Sequence, residues 1–209
     1  MVSGKEWKKF LKKFWHLLWK DNGFKGWLFS IIFLFVVIKF IFFPFLSLVT
    51  GTSLPLAIVE SCSMYHKGNL FSDFDMWWSR QEDKYPEFTI NKLDFQNFQM
   101  KNGFNKGDIL LIIRADPEKL EVGNIVIFNV NQRNPVIHRI VDIKEINDRK
   151  VFSTLGDNNI GQLNFEKEIT ENQLVGKAIL KLTPYVGWVK LIFYEWQKPL
   201  SEKGLCREK

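Results

Sequence analysis

Residues 27–49 read WLFSIIFLFVVIKFIFFPFLSLV, twenty-three positions with a single charge, Lys39. A helix crossing the ~30 Å hydrocarbon core of a bilayer needs about 20 apolar residues, so this run is long enough to span it. A cleavable leader carries a shorter apolar run, roughly 7–15 residues, closed by a small-x-small site. Here only Gly51 and Ser53 supply small residues beyond the run, and the segment reads as an uncleaved signal-anchor. Lys39 lies near the middle of the span, where an isolated charge is costly. Two arrangements relieve it: pairing with a partner helix, or snorkelling with local water entry where Pro44 loosens the backbone.

The charge balance is tied to this run. The chain carries 29 Lys and Arg against 23 Asp and Glu, a net charge of +6. Residues 1–25 hold seven of the lysines against Glu6 and Asp21, a net of +5, which leaves +1 for everything after them. Nucleic-acid binding needs a basic surface spread over the fold, and a collar confined to one end argues against it. In KEWKKFLKKFWHLLWK, Trp7, Phe10, Leu11, Phe14, Leu17 and Leu18 recur at helical spacing, with Lys8, Lys9, Lys12 and Lys13 at other positions. That is the pattern of a helix lying in the headgroup plane. The positive-inside rule keeps the collar in the cytoplasm and places the 160 residues after Val49 outside, or in a lumen. The expected organisation is a basic amphipathic interfacial helix over 1–25, a transmembrane anchor over 26–49 and an extracytoplasmic domain over 50–209, with the lipid bilayer as first partner.

After Gly51 the texture changes to short β-type runs bounded by Gly, Asn, Asp and Pro. Strands are expected at Leu56–Glu60, Ile109–Arg114, Ile125–Val130, Val136–Ile143, Val151–Thr154 and Val175–Thr183. Short strands without intervening helices imply a mainly β, antiparallel, folded-sheet or barrel-like domain. Two pieces stand apart. Residues 67–105 form an aromatic and charged insertion with Phe71, Phe74, Trp77, Trp78, Tyr85 and Phe88. Its tryptophan pair either dips into the lipid interface or packs as a satellite cluster on the sheet. Residues 186–196, apolar apart from Lys190 and Glu195, are too short to span and either pack on the domain or rest at the membrane surface. With two cysteines a disulfide scaffold is excluded; Cys62 reads as a buried structural thiol and Cys206 as free.

Ser61-Cys62-Ser63-Met64 follows directly on the strand LPLAIVE. Serine is a weak nucleophile until a neighbouring base takes its proton, and the exported half holds two histidines, His66 and His138. His66 is three residues from Ser63 and needs a tight turn to reach back. His138 lies in the strand VIHRIVDI, where Val136, His138, Ile140 and Asp142 share a face. Four residues along a strand is about 13 Å, so Asp142 is out of reach of His138. Asp157, in the turn Gly156-Asp157-Asn158-Asn159, is free to fold back toward it. No His, Cys or carboxylate cluster has metal-ligand spacing and there is no glycine-rich phosphate loop, so no metal and no cofactor is expected.

In order behind an anchor, PLAIVESCSM, KGDILL, VGNIVIFN, PVIHRIVDI, FSTLGDNN, QLVGKA and PYVGWV resemble the type I signal peptidases, in particular their archaeal and endoplasmic-reticulum branch. The branch rests on His138, where bacterial members place a lysine general base. The resemblance implies a Ser63 nucleophile, a His138 general base, Asp157 as an orienting or electrostatic carboxylate, and Ser61 beside the oxyanion. It also implies the reaction: hydrolysis of one peptide bond in an exported preprotein, through an acyl-enzyme, with small residues read at the −1 and −3 positions.

Three departures accompany it. The family block S-G-S-M-x-P has Cys62 for Gly and His66 for Pro, and the second aspartate, about six residues beyond GDN, is replaced by Leu163. Either Asp157 orients His138 or Glu166 reaches in through a shifted loop. The departures also motivate another reading, a catalytically inactive relative serving as a binding subunit of a membrane complex. A third is an anchored serine protease with no role in signal-peptide processing. Fourteen residues separate Val49 from Ser63, a reach of at most about 50 Å, so the site stays near the lipid surface.

Overall fold

The computed structural model describes residues 4–68, 74–130 and 134–208. The chain divides into two compact units, Met1–Val49 and Thr50–Lys209.

In the first unit α1 (Gly4–Trp19) is followed by α2 (Phe24–Val37), a π-helical turn (Ile38–Phe42) and α3 (Phe43–Thr50). Phe24–Thr50 is one continuous 27-residue helical run, long and apolar enough to cross a membrane. The π-turn has a local cause: Pro44 lacks an N–H and its ring crowds the carbonyl four residues back, at Phe40, so the ladder widens there. The Lys39 ammonium lies 5.7 and 5.4 Å from the ring centroids of Phe35 and Phe40, both on its own helix. α1 turns back on α2. The Phe14 ring meets Phe29 and Phe33 edge-on, and Ser30 Oγ donates to the Leu18 carbonyl.

The second unit is mainly β. Among the described residues, β1 (Leu56–Ile58), β2 (Ile109–Ile113), β3 (Ile125–Phe128), β4 (Val136–Ile146), β5 (Arg149–Leu155), β6 (Ile169–Thr170) and β7 (Leu174–Thr183) form one antiparallel sheet in the order β1-β2-β7-β3-β4-β5-β6. β3, the run IVIF, is buried on both faces: Ile125 and Ile127 join one core with Ala57, Met64 and Ile112, while Val126 and Phe128 join another with Ile140 and Phe152. Asn147 and Asp148 close the β4–β5 hairpin with positive φ, the conformation such two-residue turns require. A bulge between Ile140 and Asp142 ends the alternation of β4, and Asp142 faces outward to Lys144.

The insertion is a small helical excursion, α4 (Phe74–Gln81), two single 3₁₀ turns (Glu82–Lys84 and Pro86–Phe88) and α5 (Lys92–Asn97), the last capped by Asn91 and Asp94 in reciprocal hydrogen bonds. Phe71 lies outside the described residues. Trp77, Trp78, Tyr85 and Phe95 are buried together with Val141 and Leu155 of the sheet, so the tryptophan pair is a packed satellite cluster. Near the C-terminus the short helix α6 (Trp188–Leu191) docks through Trp188, whose indole donates to the Lys106 carbonyl, and through buried Leu191. Val189, Ile192, Phe193 and Trp196 stay exposed.

The cysteines correct the sequence reading. Cys62 is not a buried thiol and Cys206 is not free; they form a disulfide across 144 residues of chain. A pair so far apart in sequence gives no local signal, and it ties the loop after β1 to the C-terminal tail.

Candidate active site

Three segments converge on the turn Gly156–Asn159 at the end of β5. The first is the loop after β1. Phe104 N donates to the Met64 carbonyl at 2.9 Å, and Met64, buried to 1% exposure, pins the loop into the core. Asn158 N donates to the Ser63 carbonyl at 2.7 Å, and Asn158 Nδ2 to the Cys62 carbonyl at 2.9 Å. Ser63 is thus stitched to the turn by its backbone while its side chain stays half-buried. Ser61 and Ser63 bring their hydroxyls to 3.1 Å, the one hydrogen bond that Ser63 Oγ makes among the described residues.

The second segment is β4. His138, 3% exposed, shares a face with Val136 and Ile140, with the Phe128 ring beside it. Its Nδ1 lies 2.5 Å from Glu166 Oε1, and its Nε2 has no hydrogen-bond partner among the described residues. A Cβ added at Gly156 would fall 2.9 Å from that Nε2, so a side chain there would crowd the ring. Glycine at 156 keeps the nitrogen open. Ser63 and His138 flank the same turn but are not hydrogen-bonded to each other.

The third segment is the loop after the turn, where the missing second aspartate left two carboxylates as candidates. The 3₁₀ turn Asn164–Glu166 folds Glu166 back so that Oε2 accepts from Leu163 N at 2.7 Å while Oε1 meets His138. Glu166 is fully buried. The carboxylate acts as an acceptor on both oxygens, which places the shared proton on Nδ1 and the lone pair on Nε2.

Of the two carboxylates that the sequence offers to His138, Glu166 is the one in contact with it, and Asp157 is bonded elsewhere. Its carboxylate accepts from Arg139 Nε at 3.0 Å and Nη2 at 2.7 Å, and from His66 Nε2 at 2.9 Å. Arg139 follows His138 on β4 and so projects from the opposite face; its remaining donors go to the carbonyls of Gln99, Met100 and Gly123. Burial by itself would raise the Asp157 carboxyl, but the guanidinium and the His66 bond outweigh it and hold it well below the usual carboxylate range. Burial lowers His66 despite that carboxylate, so the ring is a neutral Nε2–H donor. It stacks on Trp77 at 3.6 Å, and its Nδ1 is enclosed without a hydrogen-bond partner among the described residues. The structure therefore gives His66 to Asp157 rather than to Ser63.

Arg139 was not singled out from the sequence. Its signal was there: a charge inside an apolar strand, next to the one histidine that strand carries.

No family model matches the chain. Curated proteins similar to it include the signal peptidase complex catalytic subunit SEC11C of Homo sapiens, 31% identical over 106 residues, which is 47% of this chain and 55% of that protein. The signal peptidase complex catalytic subunit SEC11 of Scheffersomyces stipitis is 33% identical over 103 residues, 46% of this chain and 61% of that protein. That of Lodderomyces elongisporus is 30% identical over 105 residues, 47% of this chain and 62% of that protein. The chain spans little more than half the length of the relatives it matches.

Proposed function

The chain is a homologue of signal peptidase complex catalytic subunits, and from that kinship we propose that it is a membrane-anchored serine endopeptidase removing signal peptides from exported preproteins. The observation that carries the reading is the His138–Glu166 pair, closed at Nδ1 and open at Nε2 beside the turn that holds Ser63. The proposed reaction requires the Ser63 hydroxyl to leave Ser61 and turn to Nε2. The imidazole then takes the proton as Oγ attacks the scissile carbonyl, and Glu166 stabilises the imidazolium. His138 returns that proton to the leaving amine. Water hydrolyses the acyl-Ser63 ester by the same base in reverse. The Ser63 N–H and the Ser61 hydroxyl are assigned as donors to the developing oxyanion.

The basic collar and the apolar run support an anchor with its N-terminus in the cytoplasm. The Cys62–Cys206 disulfide supports an oxidising location for the second unit, outside the cytoplasm or in a lumen. Substrates are exported preproteins with small residues at −1 and −3. The relatives are named as subunits of a signal peptidase complex, and membrane-complex partners are proposed for this chain on that ground.

The test is turnover of a preprotein carrying an Ala-x-Ala site by the full chain in detergent. Ser63→Ala is expected to lower kcat/KM by about 10⁴ or more with folding intact. Binding of the preprotein without turnover by the unmutated chain would instead establish a catalytically inactive binding subunit, a reading favoured by Ser63 Oγ facing Ser61 rather than His138. Cleavage of soluble peptides that needs no attached apolar segment would point to a protease outside signal-peptide processing.

A further inference from the structure

The helical excursion has no counterpart in the sequence blocks that carry the resemblance, yet it reaches the candidate site. Lys84, at the end of the 3₁₀ turn Glu82–Lys84, directs its ammonium at the Gly156–Asn159 turn, 73 residues along the chain. Nζ donates to the Asp157 carbonyl at 2.5 Å, to the Asn159 carbonyl at 3.0 Å and to Gln81 Oε1 at 2.8 Å. An ammonium has three donors, and all three are used.

The Asp157 carbonyl belongs to the same peptide group as the Asn158 N–H, which donates to the Ser63 carbonyl. The chain of bonds runs from Lys84 through one peptide to the residue bearing the candidate nucleophile. A charge on the carbonyl side polarises the peptide and strengthens donation from its N–H. The excursion braces the same turn elsewhere, with Trp77 stacked on His66 and Phe95 lying 4.7 Å from the Arg139 guanidinium.

We propose that Lys84 is a positioning residue for the reaction, holding the 156–159 turn against Ser63 and His138; this rests on the peptidase reading above. Lys84 touches no reacting atom and acts through the Asp157–Asn158 peptide.

The groups facing Lys84 are the Asp157 carboxylate, Glu208 of the tail (itself paired with Arg80), the Tyr85 ring at 5.4 Å and neutral His66. Burial pulls the ammonium down to about 8 against the two carboxylates. The clamp therefore weakens as pH rises through that value, and the unmutated chain should show a decline in kcat there with KM little changed.

Lys84→Met and Lys84→Arg test this by preprotein cleavage across pH 6.5–9.5 and by hydrogen exchange at the Asn158 amide. Lys84→Met is expected to lower kcat about tenfold, with KM little changed, and to speed Asn158 exchange by a similar factor, as for one weakened charge-assisted bond. Lys84→Arg keeps a cation that does not titrate in this range, so it should retain most of the activity and lose the alkaline decline. Unchanged kcat and unchanged Asn158 exchange in Lys84→Met, or an alkaline decline that persists in Lys84→Arg, overturns the proposal. Should Lys84→Met not fold, the pH profile of Lys84→Arg decides alone. If the unmutated chain turns over no preprotein, the peptidase reading has failed and the exchange measurement still decides whether Lys84 holds the turn.

Discussion

Two buried histidine–carboxylate pairs lie on opposite faces of β4, and they are wired in opposite senses. His138 gives one nitrogen to Glu166 and, among the described residues, keeps the other unbonded beside Gly156. His66 gives one nitrogen to Asp157 and has the other sealed under the aromatic cluster, with its ring flat against Trp77. The second pair also includes a cation, Arg139, and the first does not. A base must keep an accessible lone pair and a neutral ring that gains from becoming charged. A brace has its groups committed to each other. On the reading proposed above, the His138 pair moves a proton and the His66 pair holds a turn.

The largest expected effect comes from exchanging the carboxylate of the open pair. In Glu166→Gln the amide oxygen must face the Leu163 N–H, since the alternative sets two donors together. The amide nitrogen then faces His138 Nδ1 and forces the proton onto Nε2, where the lone pair is needed. We expect kcat to fall about 10⁴-fold, equivalent to about 5.5 kcal/mol of barrier, with preprotein binding retained. Near-normal turnover in this variant would erase the distinction between the two pairs.

Asp157→Asn sharpens the comparison from the other side. It leaves the fully buried Arg139 opposite a neutral amide, and breaking a buried pair by removing one partner costs about 3–5 kcal/mol. The expected result is a lower urea midpoint, with residual activity in whatever fraction remains folded. A variant of unchanged stability that binds preprotein but does not cleave it would make Asp157 the catalytic carboxylate after all.

These two carboxylates mark where the sequence stopped being legible. The strands were readable because short apolar or alternating runs bounded by Gly and Asn are local signals, and β3, β4 and β7 lie close to where their residues predict. β6 is two residues long and carries no period. Ser63 and His138 stood out because few other groups in the second unit could serve. Which carboxylate meets His138 depends on how the loop 156–166 folds, and that is set by the Leu163–Glu166 cap and by Arg139 taking Asp157 from the far face of the strand. Neither is a property of spacing. The disulfide and the Lys84 contact join residues 144 and 73 positions apart, and only the closed fold brings them together.

The smallest expected effect is a pH dependence confined to the braced pair. Burial lowers His66 below its ordinary value of 6.5, so beneath that pH the unfolded chain takes up a proton that the folded chain refuses. The state binding more protons gains as pH falls, and folded stability should decline with a slope approaching ~1.4 kcal/mol per pH unit for this one group. Asp157 adds a second decline with the same sign lower down. Its unfolded carboxylate protonates near 3.8 while the folded one stays ionised, so the stability it confers is present above that value and lost as the folded carboxyl titrates. His66→Gln separates the two. Glutamine can still donate to Asp157 but does not titrate, so the loss that sets in below pH 6.5 should flatten while the loss below pH 4 remains. Urea midpoints of both proteins from pH 7.5 to 3.5 provide the measurement. Parallel profiles would mean that His66 titrates alike in the folded and unfolded chains, and the sealed pair would then be as open as the pair on the other face of β4.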